Sequence, residues 1–138
     1  MSKIRTFTVI KYSNNGRIAI AVDDENAQAI LNYINKDRRH VKKFNFILNL
    51  IFENKAPREL FKHEKINTVC NNVYAMRFFP GQENDRIYCV KIEKTSITYL
   101  IMCELLEKKK NLKLKTRETN IINKVARYEY QIINKPND

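Results

Sequence analysis

A chain of 138 residues and 16.5 kDa suits one compact domain and leaves little room for a second independent core. With 43% hydrophobic and 30% charged residues, and only two Gly and three Pro, it can bury a core, which excludes a disordered or collagen-like chain. Twenty-six Lys and Arg against fifteen Asp and Glu give a net charge of +11, which predicts attraction to a polyanion.

The segment from Ile4 to Tyr12 is rich in Thr, Phe, Val and Ile, and Ser13-Asn14-Asn15-Gly16 supplies residues tolerant of positive φ before Arg17 to Val22. These features predict a β-hairpin over residues 1–22. Two helices are expected over 23–55. In the first, Asp23 or Asp24 serves as the cap and Ala27, Ile30, Leu31 and Ile34 share one face. Residues 36–39 interrupt the pattern. The second helix runs from about Arg39 to Glu53 with Phe44, Ile47, Leu48 and Ile51 at the same spacing, and Pro57 lies beyond its end.

From Val73 the period changes to two, and a three-stranded antiparallel meander is predicted over 73–107. Its first strand, Val73 to Phe79, stops at Pro80-Gly81, and alternation places Arg77 on the face of Val73, Ala75 and Phe79. The second strand runs from Arg86 to Ile92. A third, Thr98 to about Leu106, is apolar on both faces and so reads as central, with Glu104 asking for a partner if buried. A last helix is expected over 116–130, capped by Thr116, with Ile121, Ile122, Val125 and Tyr128 as its apolar stripe and Glu118 near its positive end. The fold class is therefore α+β, one domain, with residues 134–138 as a tail.

No apolar run approaches the roughly 20 residues of a spanning helix, and the N-terminal residues carry no secretory pattern, so no membrane association and a cytoplasmic location are expected. Cys70, Cys89 and Cys103 are odd in number, lack CxxC spacing and lie mostly in apolar segments, which fits reduced core thiols. His40 and His63 are poorly spaced to join them as ligands, so neither a metal nor a cofactor is expected. The positive charge is spread over both halves, but six of the ten residues from Lys108 to Arg117 are basic and none is acidic. Taken alone, such a run is what a solvated loop looks like.

The order of two helices, meander and basic segment leading into a terminal helix, with the stretches VYAMRFF, DRIYCVKI and LLEKKK, resembles the RelE/ParE toxin superfamily and above all its HigB-like branch, which includes phage-derived proteins. The likeness covers about Ala27 to Tyr128. Met76-Arg77 matches a Leu-Arg or Met-Arg pair at the end of the branch's first meander strand. Arg86-Ile87-Tyr88 matches the Arg that opens its second, and Lys108-Lys109 with Lys115-Thr116 matches the basic pair and Lys-Thr element after its third. The chain departs from the branch in carrying Glu104 where a His is common, Arg117 where a Pro is common, apolar Val73 and Ala75 where some ribosome-dependent members carry Lys, and a longer N-terminal hairpin.

The resemblance implies the toxin of a type II toxin-antitoxin pair, an endoribonuclease that cuts messenger RNA on or off the ribosome, with RNA and a cognate antitoxin as partners. RNA can be cut by its own 2′-hydroxyl, so the protein need only position that oxygen, move two protons and stabilise added negative charge, without metal. Arg77 and Arg86 suit the electrostatic role because their planar forks stay charged. Crowded Lys108 and Lys109 are candidates for acid or base work, as is Lys110, and Glu104 or Glu107 are alternatives for the base. Lys110, Lys113, Lys115 and Arg117 are expected to contact RNA, and Tyr88, Tyr99 or Tyr128 to stack on a base or donate a proton, with Tyr128 the chosen RNA contact. Two other readings stand beside this one: a non-catalytic toxin of the same fold that binds gyrase or nucleic acid, and a general basic nucleic-acid binder with salt-sensitive affinity.

Overall fold

The computed structural model describes residues 3–64, 72–107 and 114–132. In chain order these form β1 (Ile4–Arg5), β2 (Phe7–Tyr12), β3 (Ile18–Asp23), α1 (Ala27–Ile34), α2 (Arg38–Phe52), β4 (Phe61–His63), β5 (Val73–Met76), β6 (Arg86–Lys94), β7 (Ile97–Leu106), α3 (Leu114–Ala126) and β8 (Glu129–Tyr130). A six-stranded sheet has the order β2-β3-β7-β6-β5-β4, antiparallel except where β3 runs parallel to β7. The α+β class, the N-terminal hairpin, the two helices and the meander are as the sequence predicts, and β7 is central.

Two apolar layers follow from strand alternation. Ile20, Val22, Leu100 and Met102 point to one side, where Ile30, Tyr33 and Ile34 of α1 and Phe44, Ile47 and Leu48 of α2 cover them. Ala21, Ile101 and Cys103 point to the other, under Ile122 and Val125 of α3. Both faces of β7 are thereby buried, which is why its sequence is apolar throughout. Cys89 and Cys103 are buried free thiols, and burial pushes the Cys103 thiol up to about 12. Cys70 lies outside the described residues. No helix among the described residues is long and apolar enough to cross a membrane.

Five expectations need correction. The first meander strand ends at Met76, not Phe79; beyond it both Phe78 and Phe79 turn into the α1/α2 layer, so Phe79 does not share the face of Val73 and Ala75. Asp23 does not cap α1, because its carboxylate is buried at the end of β3, where it accepts from Arg5 and Tyr130, and Asn26 holds the cap position. The second helix instead gains Asp37, whose side chain accepts from the His40 N–H at 2.8 Å. The last helix already begins at Leu114, so Thr116 lies within it and is not its cap. It stops at Ala126 rather than near 130, since Glu129 and Tyr130 extend to pair with Ile4 and Arg5, and backbone pairing there outweighs another helical turn.

One local strain predicts a gain in stability. Thr95 and Ser96 join β6 to β7 at φ of 51° and 66°, the left-handed pair that a two-residue hairpin needs and that a β-branched residue resists. Replacing them with Asn-Gly is expected to stabilise the fold by about 1 kcal/mol. Thermal unfolding of the variant checks this, and an unchanged or lower melting temperature would show that the turn is not strained.

Candidate functional site

The antiparallel register between β5 and β6 pairs Ala75 with Tyr88 and Met76 with Ile87. The pairing ends there: Arg77 is the first residue past β5, Arg86 opens β6, and the charges of both act on the Tyr88 phenol. On the other edge of β5 the Arg77 N–H donates to Leu60 O at 2.8 Å. Two like charges gathered on one neighbouring side chain repel each other. A sequence chosen for stability alone avoids this arrangement.

What offsets the repulsion comes from α3. Glu118 Oε1 lies 2.7 Å from Arg86 Nη1, with the Arg86 side chain 12% exposed and that of Glu118 19% exposed, and the same Nη1 donates to Asn84 O at 2.9 Å. Arg77 is half-buried, and its Nε is shut off from solvent without a hydrogen-bond partner among the described residues. Between these groups stands Tyr88. Burial raises the pKa of its phenol, Glu118 and Glu64 raise it further, and Arg86 and Arg77 oppose them, so the hydroxyl stays protonated. Tyr88 is 1% exposed, which removes it as a stacking surface for a base. Tyr99 packs edge-on against Phe7, and Glu107 is exposed just past β7.

The neighbouring row holds Glu104, paired across the strands with Tyr88. A bulge places it there: Cys89 pairs with Met102 and Tyr88 with Glu104, so Cys103 is the extra residue and Glu104 is turned toward α3. Its carboxylate accepts from Asn26 Nδ2 at 2.6 Å and from the Tyr128 hydroxyl, with Lys124 Nζ at 3.7 Å. The partner that Glu104 requires is thus supplied by three residues, one at the start of α1 and two at or just past the end of α3. Burial first and Glu104 second raise the Tyr128 phenol pKa, and Arg5 lies 3.9 Å over its ring.

Tyr128 follows α3 rather than lying on it. It helps line an open cleft of about 530 Å³ whose cations are Lys3, Arg5, Lys124 and Arg127. Thr116 and Arg117 are exposed on the first turns of α3, which also contains Lys115. Lys108, Lys109, Lys110 and Lys113 fall outside the described residues. The structure therefore brings together Arg77 and Arg86, and places Tyr128 and Arg117 at other points along the α3 side. It adds Glu118, which the sequence reading treats only as a favourable charge near a helix start. Its one signal in the sequence is that it is the sole acid in the helix.

No protein-family model matches this chain, and neither a curated protein nor a solved structure matches it.

Proposed function

We propose that this protein is the toxin of a type II toxin-antitoxin pair and cleaves messenger RNA by attack of the ribose 2′-hydroxyl on the adjacent phosphate. The observation that carries this reading is that Arg77, just past β5, and Arg86, at the start of β6, both act on the buried Tyr88, two like charges that a phosphate would neutralise. As the 2′-oxygen attacks, charge builds on the non-bridging oxygens, and two fixed guanidinium groups stabilise that charge more than the ground state. Glu118, already 2.7 Å from Arg86, is a carboxylate able to take the 2′-hydroxyl proton once phosphate displaces it from the arginine. The excess of positive charge supports both RNA attraction and an acidic antitoxin as partner.

Incubating the purified chain with an end-labelled messenger RNA in EDTA, with and without ribosomes, tests the chemistry. The expected products carry 2′,3′-cyclic phosphate and 5′-hydroxyl ends. Products with 5′-phosphate ends, or cleavage that needs added metal, would contradict attack by the 2′-hydroxyl.

A second reading, a non-catalytic toxin of this fold that binds gyrase or nucleic acid, draws on the Arg86–Glu118 pair itself. A guanidinium already held by a carboxylate offers less charge to a phosphate. The two readings divide on Glu118→Gln. Freed from its partner, Arg86 would bind RNA more tightly under either, but cleavage falls only if the carboxylate takes the proton.

A further inference from the structure

We propose that the exposed face of the first turns of α2 docks the single strand of RNA flanking the cleavage point, with phosphates on Arg38, Lys42 and Lys43 and a base on Phe46. The inference rests on the proposed function and extends its substrate contacts to the opposite side of the sheet.

The sequence of α2 contains no acid in its 15 residues and four cations within residues 38–43. Arg38 and Arg39 stand in the first turn, where the helix dipole favours negative charge and a cation lowers stability. Charge so placed is not there to hold the helix. Arg38, Lys42 and Phe46 recur every four residues, a stripe about 12 Å long by the helical rise. Neither Arg38 nor Lys42 has an ion pair among the described residues. Arg39 is occupied, its guanidinium 3.5 Å over the Phe79 ring and bonded to Gln82 and Glu83.

Phe46 is 51% exposed, although Phe44 two residues earlier is buried. Lys43 Nζ lies 5.5 Å from its ring centroid and 5.7 Å from that of Phe79, and these side chains border a shallow depression of about 600 Å³. Cations tracking a backbone beside an exposed ring are how single strands are held without sequence readout. An acidic amphipathic peptide would need several apolar anchors, and Phe46 is the single exposed large apolar side chain of the patch.

The patch also adjoins the arginine pair along the chain. Phe79 is two residues from Arg77, a span of at most about 7 Å, and the segment that carries Phe79, Gln82 and Glu83 begins after Arg77 and ends at Arg86. A strand gripped at the arginines and led over this loop arrives at α2.

The test is fluorescence anisotropy of a labelled, 2′-O-methylated oligouridylate, which cannot be cut, with the full chain at low salt. Phe46→Ala is expected to weaken binding about tenfold, and Arg38→Gln with Lys42→Gln to weaken it and lower the salt slope by about 1.4. All three side chains are exposed, so the melting temperatures should stay at or above that of the wild type. Unchanged affinity in both variants would overturn the proposal, as would no binding by the wild type. So would equal capture of polyglutamate or phosphatidylserine vesicles with the same sensitivity to Phe46→Ala. If the variants lose the oligonucleotide while the wild type cuts no RNA, docking stands and the nuclease reading falls; if RNA is cut and the variants bind normally, the reverse holds.

Discussion

Replacing Arg77 and Arg86 together with Ala is expected to lower RNA cleavage at least about a thousandfold and to relieve growth arrest on expression. Removing one preorganised donor at a developing negative charge typically costs a factor of about 10² to 10³, and the proposed mechanism has two acting on one phosphoryl group. The substitution is also expected to leave the fold standing. Truncating Arg86 strands the largely buried Glu118, a cost of up to about 3 kcal/mol, and removing Arg77 as well offsets part of it by relieving the repulsion between the two cations. Measured cleavage rates alongside thermal melts separate the two effects. Replacement with Lys at both positions sharpens the result, since the charge survives and the bidentate fork does not. Cleavage restored fully by Lys would mean that charge alone suffices, and a folded double Ala variant that remains toxic would remove both arginines from the site.

The second large effect falls on stability. Asp23 is fully buried, accepts from Arg5 Nε at 2.6 Å, from Arg5 Nη2 at 3.2 Å and from the Tyr130 hydroxyl at 2.7 Å, and takes the N–H groups of Glu25 and Asn26. It ties the end of β3 to β1 and β8, the two short strands that join the termini of the fold. Asp23→Asn keeps the shape but leaves the Arg5 guanidinium, 12% exposed, without its main counter-charge. A loss of about 3 kcal/mol is expected, at the low end for a broken buried pair because Glu25 lies 3.4 Å from Arg5. For a chain of this size that is a fall in melting temperature of about 10 °C.

The pH dependence has a definite sign. Burial alone would raise the Asp23 carboxyl, but the hydrogen bonds from Arg5 and Tyr130 outweigh it and hold its pKa below the ordinary value. Its contribution is therefore present above the unfolded pKa, about 4, and is lost as pH falls through the lower folded value. Urea unfolding of wild type and Asp23→Asn at pH 7 and again near pH 3 should show the gap between them closing in acid. A gap that stays constant would mean that Asp23 stabilises by shape rather than charge.

The elements legible in the sequence are those whose own pattern is long enough to state a period. Phe44, Ile47, Leu48 and Ile51 announce α2, and a strand apolar on both faces announces that β7 is covered twice. β1, β4 and β8 have two or three residues each, too few for alternation to register, and they exist because a partner strand supplies their hydrogen bonds. For the same reason the end of the last helix was not readable: what stops it is β1, more than a hundred residues away in the chain. At the candidate site the two arginines are visible in the sequence, but that both act on Tyr88 depends on how the chain leaves β5 and enters β6. The Glu118 contact depends on how α3 crosses the sheet. Asp23 looks like a helix cap in one dimension and is a buried counter-charge in three. The cations of α2 were visible as letters and absorbed into a general positive charge, since only the fold shows that they share an exposed face with Phe46.

The claim that this chain is an RNA-cleaving toxin meets its most direct test in cells. The measurement is 5′-end mapping of total RNA after induced expression of wild type and of the double Arg77→Ala, Arg86→Ala variant, each shown to be folded. New 5′ ends within translated messages, absent in the variant, are the predicted result. Growth arrest with intact RNA, or new ends that persist when both arginines are gone, would contradict it.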